Sequence, residues 1–216
     1  MDTRARSRRE EIIETASRLF LERGFQTTST RAIAEAAGIS QPTLYSHFPN
    51  KYALLQEMSI PWFEAMAARL GAALEGPDRR TVAQRFCRAY IDFAQEDPPH
   101  YFLGLVMPND LDAQHAIAPR FAAATRQAFD QIRRLAGLFQ ADEAAAEVAA
   151  QSVWTALHGL VALVIWRPGF RWVDRETLIA RHVAMIVESL EASTRRAAGP
   201  AAPRSGRRGR SGRPGS

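Results

Sequence analysis

Apolar residues recur at three- and four-residue spacing along almost the whole chain, the period of a helix buried on one face. Ile12, Ile13, Ala16, Leu19 and Phe20 set the pattern first. Ser7 with Glu10 three residues later is a capping box, which predicts where this helix starts. Gly24 predicts its end, as an αL residue. A short second helix is expected over about 29–37, with Thr28 or Ser29 as its N-cap. Ile33, Ala34 and Ala37 form its inner face, and Gly38 breaks it. Ser40 caps a third short helix carrying Leu44, Tyr45 and Phe48. Pro42 falls in its first turn, where a missing N–H is harmless. Pro49 stops it.

Beyond Asn50, itself an N-cap, the elements lengthen. Helices are expected over about 50–74, 79–95, 117–139, 142–166 and 174–194, with Asp142 capping the fourth. Pro98 and Pro99 open a short aromatic-containing stretch over 100–107, and 108–112 reads as a loop. Pro61 interrupts the 50–74 helix. It cannot donate to the Glu57 carbonyl, so a kink is expected there, splitting the helix, either as a hinge or as a static bend where two helices meet. Sustained alternation of apolar and polar residues, the strand signal, is missing. The fold class is therefore all-α: an N-terminal three-helix domain over 1–49, then a larger helical domain over 50–194.

Charge changes the picture in one place. The 216 residues carry 28 basic and 23 acidic side chains, a formal net of +5. Seven of the arginines and no acid lie in 195–216, leaving 21 basic against 23 acidic over 1–194, a net of −2. The positive charge belongs to the tail, which has no large apolar residue and reads as disordered. At the other end, Arg4, Arg6, Arg8 and Arg9 crowd the start of the chain. With 46% hydrophobic residues the chain can bury a core. Its single cysteine, Cys87, excludes a disulfide scaffold and fits a cytoplasmic protein. Apolar runs fall well short of the roughly 20 residues a membrane span needs, and the charged start is no secretory signal. No membrane partner is expected.

The second and third helices, joined by a glycine turn, make a helix-turn-helix pattern. Its third helix would lie in the major groove, where each base pair shows a distinct donor and acceptor pattern. Gln41 and Thr43 sit in the first turn, within reach of base edges, and Pro42 and the Thr43 methyl suit a thymine methyl. Tyr45, Ser46 and His47 offer phosphate partners. Lys51, the only lysine in the chain, starts the following helix, whose N-terminus also favours phosphate. Thr27, Thr28, Ser29 and Ser40 add hydroxyls at helix starts, where the backbone of DNA would pass.

These residues carry a resemblance. Residues 27–55, TTSTRAIAEAAGISQPTLYSHFPNKYALL, resemble the N-terminal DNA-binding domain of the TetR family of transcriptional regulators. The matching positions are Thr28, Ile33, Ala34, Ala37, Gly38, Ser40, Leu44, Tyr45, Phe48, Lys51 and Leu54. The resemblance implies base contacts from Gln41, Pro42 and Thr43, and phosphate contacts from Thr28, Tyr45, His47 and Lys51. Residues 154–163, WTALHGLVAL, resemble a C-terminal domain variant of the same family marked by a Trp-x-x-x-His-Gly string.

In the larger domain, Ala149, Ser152, Ala156 and Gly159 form a small-residue stripe that would let another helix approach closely. The last helix shows Leu178, Val183, Ile186, Val187 and Leu190 on one side. Two such helices from each of two chains would make a four-helix bundle, and the resemblance implies the same homodimer. Candidate lining for an effector pocket is Trp62, Phe63, Met66, Phe86, Tyr90, Phe93, Tyr101, Phe102, Met107, Phe121, Phe129, Trp154 and His158, a set suited to a small apolar or aromatic molecule. The same residues also serve as ordinary core.

Catalysis is not expected. His47, His100, His115, His158 and His182 are scattered, with no two at metal-ligand spacing on one helix. Cys87 beside Phe86 reads as a buried thiol rather than a nucleophile. A Gly-rich phosphate loop is missing, and neither metal nor cofactor is implied. The expected protein is a ligand-responsive repressor that binds a palindromic double-stranded DNA operator as a dimer and leaves it on binding a small effector. An activator without a small ligand, and a dimeric protein holding nucleic acid non-specifically, stay open as alternatives.

Overall fold

The computed structural model describes residues 7–106 and 117–197. Arg4, Arg6, Met107, the loop expected at 108–112, His115 and the tail from residue 198 onward lie outside them. The described residues are helical, with no strand among them: α1 Arg8–Arg23, α2 Thr30–Ala36, α3 Gln41–His47, α4 Lys51–Ala73, α5 Arg79–Glu96, α6 Pro98–Tyr101, α7 Pro119–Gly137, α8 Glu143–Trp166 and α9 Arg175–Ala197. The aromatic-containing stretch resolves into α6 and a π-helical turn, Phe102–Val106.

The sequence signals act where they were read. Ser7 and Glu10 close a reciprocal capping box on α1. Ser29, Ser40, Asn50, Asp78, Asp142 and Asp97 each accept a backbone N–H at the start of a helix, satisfying donors the helix leaves orphaned. Gly24 ends α1 at φ 86°, ψ 148°. That is a positive-φ conformation favouring glycine, though its ψ places it outside the αL region expected.

Two cores share one spine. Ile12, Ala16, Leu19 and Phe20 of α1 pack on Ile33, Ala34, Leu44 and Phe48, and this cluster continues into α4 through Leu54, Leu55 and Met58. The packing of the head thus runs past residue 49 into the first two turns of α4. From Ile60 onward α4 belongs to the larger core, with α5, α7, α8 and α9 around Leu70, Phe86, Tyr90, Leu135 and Leu157. One residue crosses over: Leu103, on the π turn, is 5% exposed and packs in the head's cluster.

Pro61 does not split α4, which runs unbroken from Lys51 to Ala73. Proline removes one N–H donor, and the packing of Ile60, Trp62 and Phe63 on both sides outweighs that loss. Helix α8 corrects another expectation. It is long and apolar enough to cross a membrane by length and composition, because its alanines extend the apolar run far beyond the large residues. It nevertheless packs on α5, α7 and α9.

Candidate nucleic-acid interface and effector cavity

The turn between α2 and α3 fixes the reading geometry. Gly38 takes φ 65°, and the N–H of Ile39 reaches the Ala34 carbonyl at 3.0 Å while that of Gly38 reaches Glu35 at 3.2 Å. This double closure is a Schellman motif, and any side chain at Gly38 would be strained in it. Ile39 is half-buried against the head's core. Leu44 and Phe48 are buried, which rotates Gln41, Pro42, Thr43, Tyr45, Ser46 and His47 to the outside. The first turn of α3 therefore presents an amide, a pyrrolidine ring and a hydroxyl-methyl pair together. That set can exchange hydrogen bonds and methyl contacts with base edges.

The flanking residues differ in how they are held. The Ser40 hydroxyl accepts from the Thr43 N–H at 3.2 Å and lies 2.8 Å from the Thr43 hydroxyl. Ser29 caps α2 by accepting from Ala32 at 3.1 Å and remains exposed. The Tyr45 hydroxyl lies 3.0 Å from that of Thr30, tying α3 to α2 on the outer surface. Thr30 went unrecognised in the sequence because only its distance to Tyr45 in space singles it out. Lys51 donates to the Phe25 carbonyl at 2.8 Å and sits over the Phe25 ring at 4.3 Å. Partial burial lowers its pKa from the ordinary lysine value. One of its three protons is spent there, and the other two remain to be donated.

Thr28 is a correction. It is 2% exposed, and its hydroxyl lies 2.7 Å from the Gly24 carbonyl and 3.3 Å from that of Leu19. It closes the end of α1 from inside the head and presents nothing to a phosphate. A threonine hydroxyl near a helix end satisfies orphan carbonyls as readily as it binds an anion, and sequence does not separate the two.

In the larger domain a cavity of about 400 Å³ opens between α4, the π turn, α7 and α8. Of the candidate residues, Met66, Phe129, Trp154, Phe63 and Phe121 line it. Two edge-to-face pairs form its jaws: Phe63 with Phe121 at 5.7 Å, and Phe129 with Trp154 at 5.4 Å. Sequence reasoning missed Gly104, Leu105, Thr125, Arg126, Ala128, Ile132 and Arg133. For those on α7, the only signal was the spacing of Phe121, Thr125, Ala128, Phe129 and Ile132 on one helical face; Gly104 and Leu105 carried none.

The other proposed lining residues lie elsewhere. Phe86, Tyr90 and Tyr101 are wholly buried and serve the core, as does Trp62. Phe93 packs against that core beside Trp62 at 5.1 Å. Phe102 is exposed, edge-on to Trp166 at 5.0 Å. The His158 Nδ1 lies 2.7 Å from the Tyr101 hydroxyl, which is 3.2 Å from that of Tyr90. This chain of polar groups satisfies itself inside the core. Burial lowers the His158 pKa.

The surface expected to pair with a second chain is rearranged. Val183, Ile186, Val187 and Leu190 are buried within their own chain, because the apolar stripe on α9 faces α5 and α8. Ile186 and Leu190 also form the floor of an open trough between α8 and α9. Ala149, Ser152 and Ala156 of the small-residue stripe line that trough. Gly159 continues the same face, and a Cβ added there would meet nothing within 4 Å. Among the large apolar side chains that α8 and α9 leave in solvent are Val148, Leu163 and Met185, at 67%, 53% and 49% exposure. Cys87 is fully buried, and burial pushes its thiol up to about 12, where it is no nucleophile.

Comparison with known proteins agrees with this arrangement. The family of bacterial regulatory proteins called the tetR family matches residues 12–58, and the tetracyclin repressor-like C-terminal domain matches residues 83–190. The HTH-type transcriptional activator FasR of Mycolicibacterium smegmatis is 29% identical over 136 residues, 61% of this chain and 61% of that protein. The HTH-type transcriptional repressor KstR2 of Mycobacterium tuberculosis is 40% identical over 63 residues, 29% of this chain and 32% of that one. The chain thus aligns with about three fifths, or less, of the length of such relatives. Among solved structures, the TetR family transcriptional regulator PfmR of Thermus thermophilus superposes with a TM-score of 0.57 at 26% identity, over 85% of this chain and 97% of that one. The fatty acid degradation regulator FadR of Bacillus halodurans superposes with a TM-score of 0.60 at 17% identity, over 86% and 97%. The latter likeness is one of fold.

Proposed function

The chain belongs to the tetR family of bacterial regulatory proteins, DNA-binding regulators of transcription, and from that premise we propose that it is a cytoplasmic, effector-released repressor acting as a homodimer on a palindromic operator. One observation carries the ligand response. The π turn Phe102–Val106 places Leu103 in the core of the head while its neighbours Gly104 and Leu105 wall the cavity. A ligand that shifts this turn on filling the cavity would shift Leu103 within the head's cluster, which also holds Leu55 and Met58. The effector then needs only to prefer the displaced arrangement for the two sites to be thermodynamically coupled. A second tie runs in parallel. Glu57 on α4 holds Arg9 of α1 and lies 3.7 Å from Arg120 at the start of α7. The Ala118 N–H donates to Gln56 at 2.8 Å.

Pairing the trough between α8 and α9 with its copy about a two-fold axis would bury Val148, Leu163 and Met185 and set two heads side by side. Heads so related read half-sites about one helical turn, roughly 34–36 Å, apart. The relatives' names include both an activator and a repressor, and the direction proposed for this chain is repression. DNase I footprinting on an inverted repeat selected from a random library tests the reading. Symmetric protection of two half-sites is expected. Salt-sensitive retention without protection would overturn it in favour of non-specific binding.

A further inference from the structure

We infer that the ligand of the cavity is an amphipathic anion of about a dozen heavy atoms, with an apolar body between the aromatic jaws and a carboxylate on Arg126. This deepens the effector reading and rests on it. The walls fix the body of the ligand. Phe63, Phe121, Phe129 and Trp154 face each other as two edge-to-face pairs, with Met66 and Ile132 between. At roughly 30 Å³ per heavy atom, the share of a water in the liquid, about 400 Å³ holds about 13 atoms.

The charge of the head group follows from the polar inventory. Among the described residues no acidic side chain lines the cavity, and two arginines do. Arg133 is already neutralised: its Nε meets Glu147 at 2.7 Å and its Nη1 meets Asp130 at 2.7 Å, with the guanidinium over the Phe129 ring. Arg126, two helical turns before it on α7, has no ion pair or hydrogen bond among the described residues. It stands exposed at the edge of the cavity. The Thr125 hydroxyl is 3.1 Å from the Phe121 and Ala122 carbonyls. A cationic ligand meets an uncompensated like charge, and a neutral one leaves Arg126 unused. A carboxylate matches the planar guanidinium fork in both charge and shape.

The test compares three ligands of equal chain length: decanoate, decanol and decylamine. Binding is followed by tryptophan fluorescence at 50 mM and 500 mM salt, with Trp154→Phe assigning the signal to this cavity. Decanoate is expected to lose about fivefold in affinity on Arg126→Gln and to lose part of its affinity at high salt, as an exposed ion pair does. Decanol is expected to be unchanged by Arg126→Gln, and decylamine to bind more weakly than either. Equal loss for decanoate and decanol, tight decylamine binding, or no decanoate binding up to 1 mM would each overturn the assignment. A footprint on the operator with the same preparations separates the two readings. With ligand-free protein, protection of the operator without decanoate binding sinks the ligand class alone, whereas no protection of the operator before any ligand is added sinks the regulator reading.

Discussion

Glu57→Gln is expected to loosen α1 from α4 without unfolding the chain. Glu57 accepts from Arg9 through both carboxylate oxygens, at 2.9 and 3.1 Å. Its side chain is 14% exposed, against 41% for Arg9. Hydrogen bonds to charged groups contribute about 1.5–3 kcal/mol. The exposure of Arg9 admits solvent screening, which brings the expectation down to about 1–2 kcal/mol. The amide keeps the shape but turns an N–H toward the guanidinium, so the loss is electrostatic and not one of packing. For a chain of this size that is a fall of roughly 2–8 °C in Tm. Calorimetry on Glu57→Gln, Arg9→Gln and the double variant measures it. The single losses should exceed additivity by at least about 0.5 kcal/mol, the signature of a shared contact. Arg9→Gln should cost more than Glu57→Gln, because Arg9 also stacks over the Phe48 ring at 4.8 Å. Strictly additive losses would show that the pair carries no coupling, and the tie between α1 and α4 would then reduce to the apolar contacts alone.

Gln41→Ala should lower discrimination between an operator half-site and its single-base variants by about 1–3 kcal/mol, read from competitive footprinting; unchanged preference would misplace the reading turn. Gly159→Glu should leave helicity and Tm of the isolated chain intact, since the site is open, while sedimentation shows the dimer lost; a folded dimer would put the interface elsewhere. For His158, burial depresses the folded pKa below the ordinary histidine value of 6.5. Below about pH 6.5 the unfolded chain therefore binds a proton that the folded chain resists, and stability should fall as pH drops from there toward the depressed pKa. Denaturant melts at pH 7.5 and 5.5 should show a smaller difference for His158→Gln than for the parent; an equal or larger one would mean that this group does not titrate as its burial implies.

The head was legible because its determinants are local. A cap, a glycine turn and an apolar residue every three or four positions specify α1, α2 and α3 within a few residues each, and the exposed turn of α3 follows by subtraction. Thr28 shows the limit. Its hydroxyl could serve either a phosphate or the end of α1, and the choice depends on where the Leu19 and Gly24 carbonyls lie in space. Val187 shows the same limit in the larger domain. An apolar stripe on a terminal helix is equally a dimer seam or an inner face, and only the position of α5 and α8 makes it the latter.

Leu103, Gly104 and Leu105 are the residues that sequence had least reason to single out, and the proposed mechanism depends most on them. Phe-Leu-Gly-Leu-Val has no cap, no charge and no helical period of its own. Its five residues form a π turn, a rare geometry found mostly as single turns beside α-helix. Its neighbours are two separate cores: Leu103 is held by the head, while Gly104 lies against Phe63, whose ring a Cβ there would meet in ordinary van der Waals contact at 3.5 Å. The turn is thus stabilised by both domains and belongs to neither. An element with that standing transmits a push from the cavity more directly than a bend at Pro61, where α4 continues without a break. In this reading the coupling of effector to operator runs sideways through the turn, and α4 acts as the rigid spine against which the turn moves.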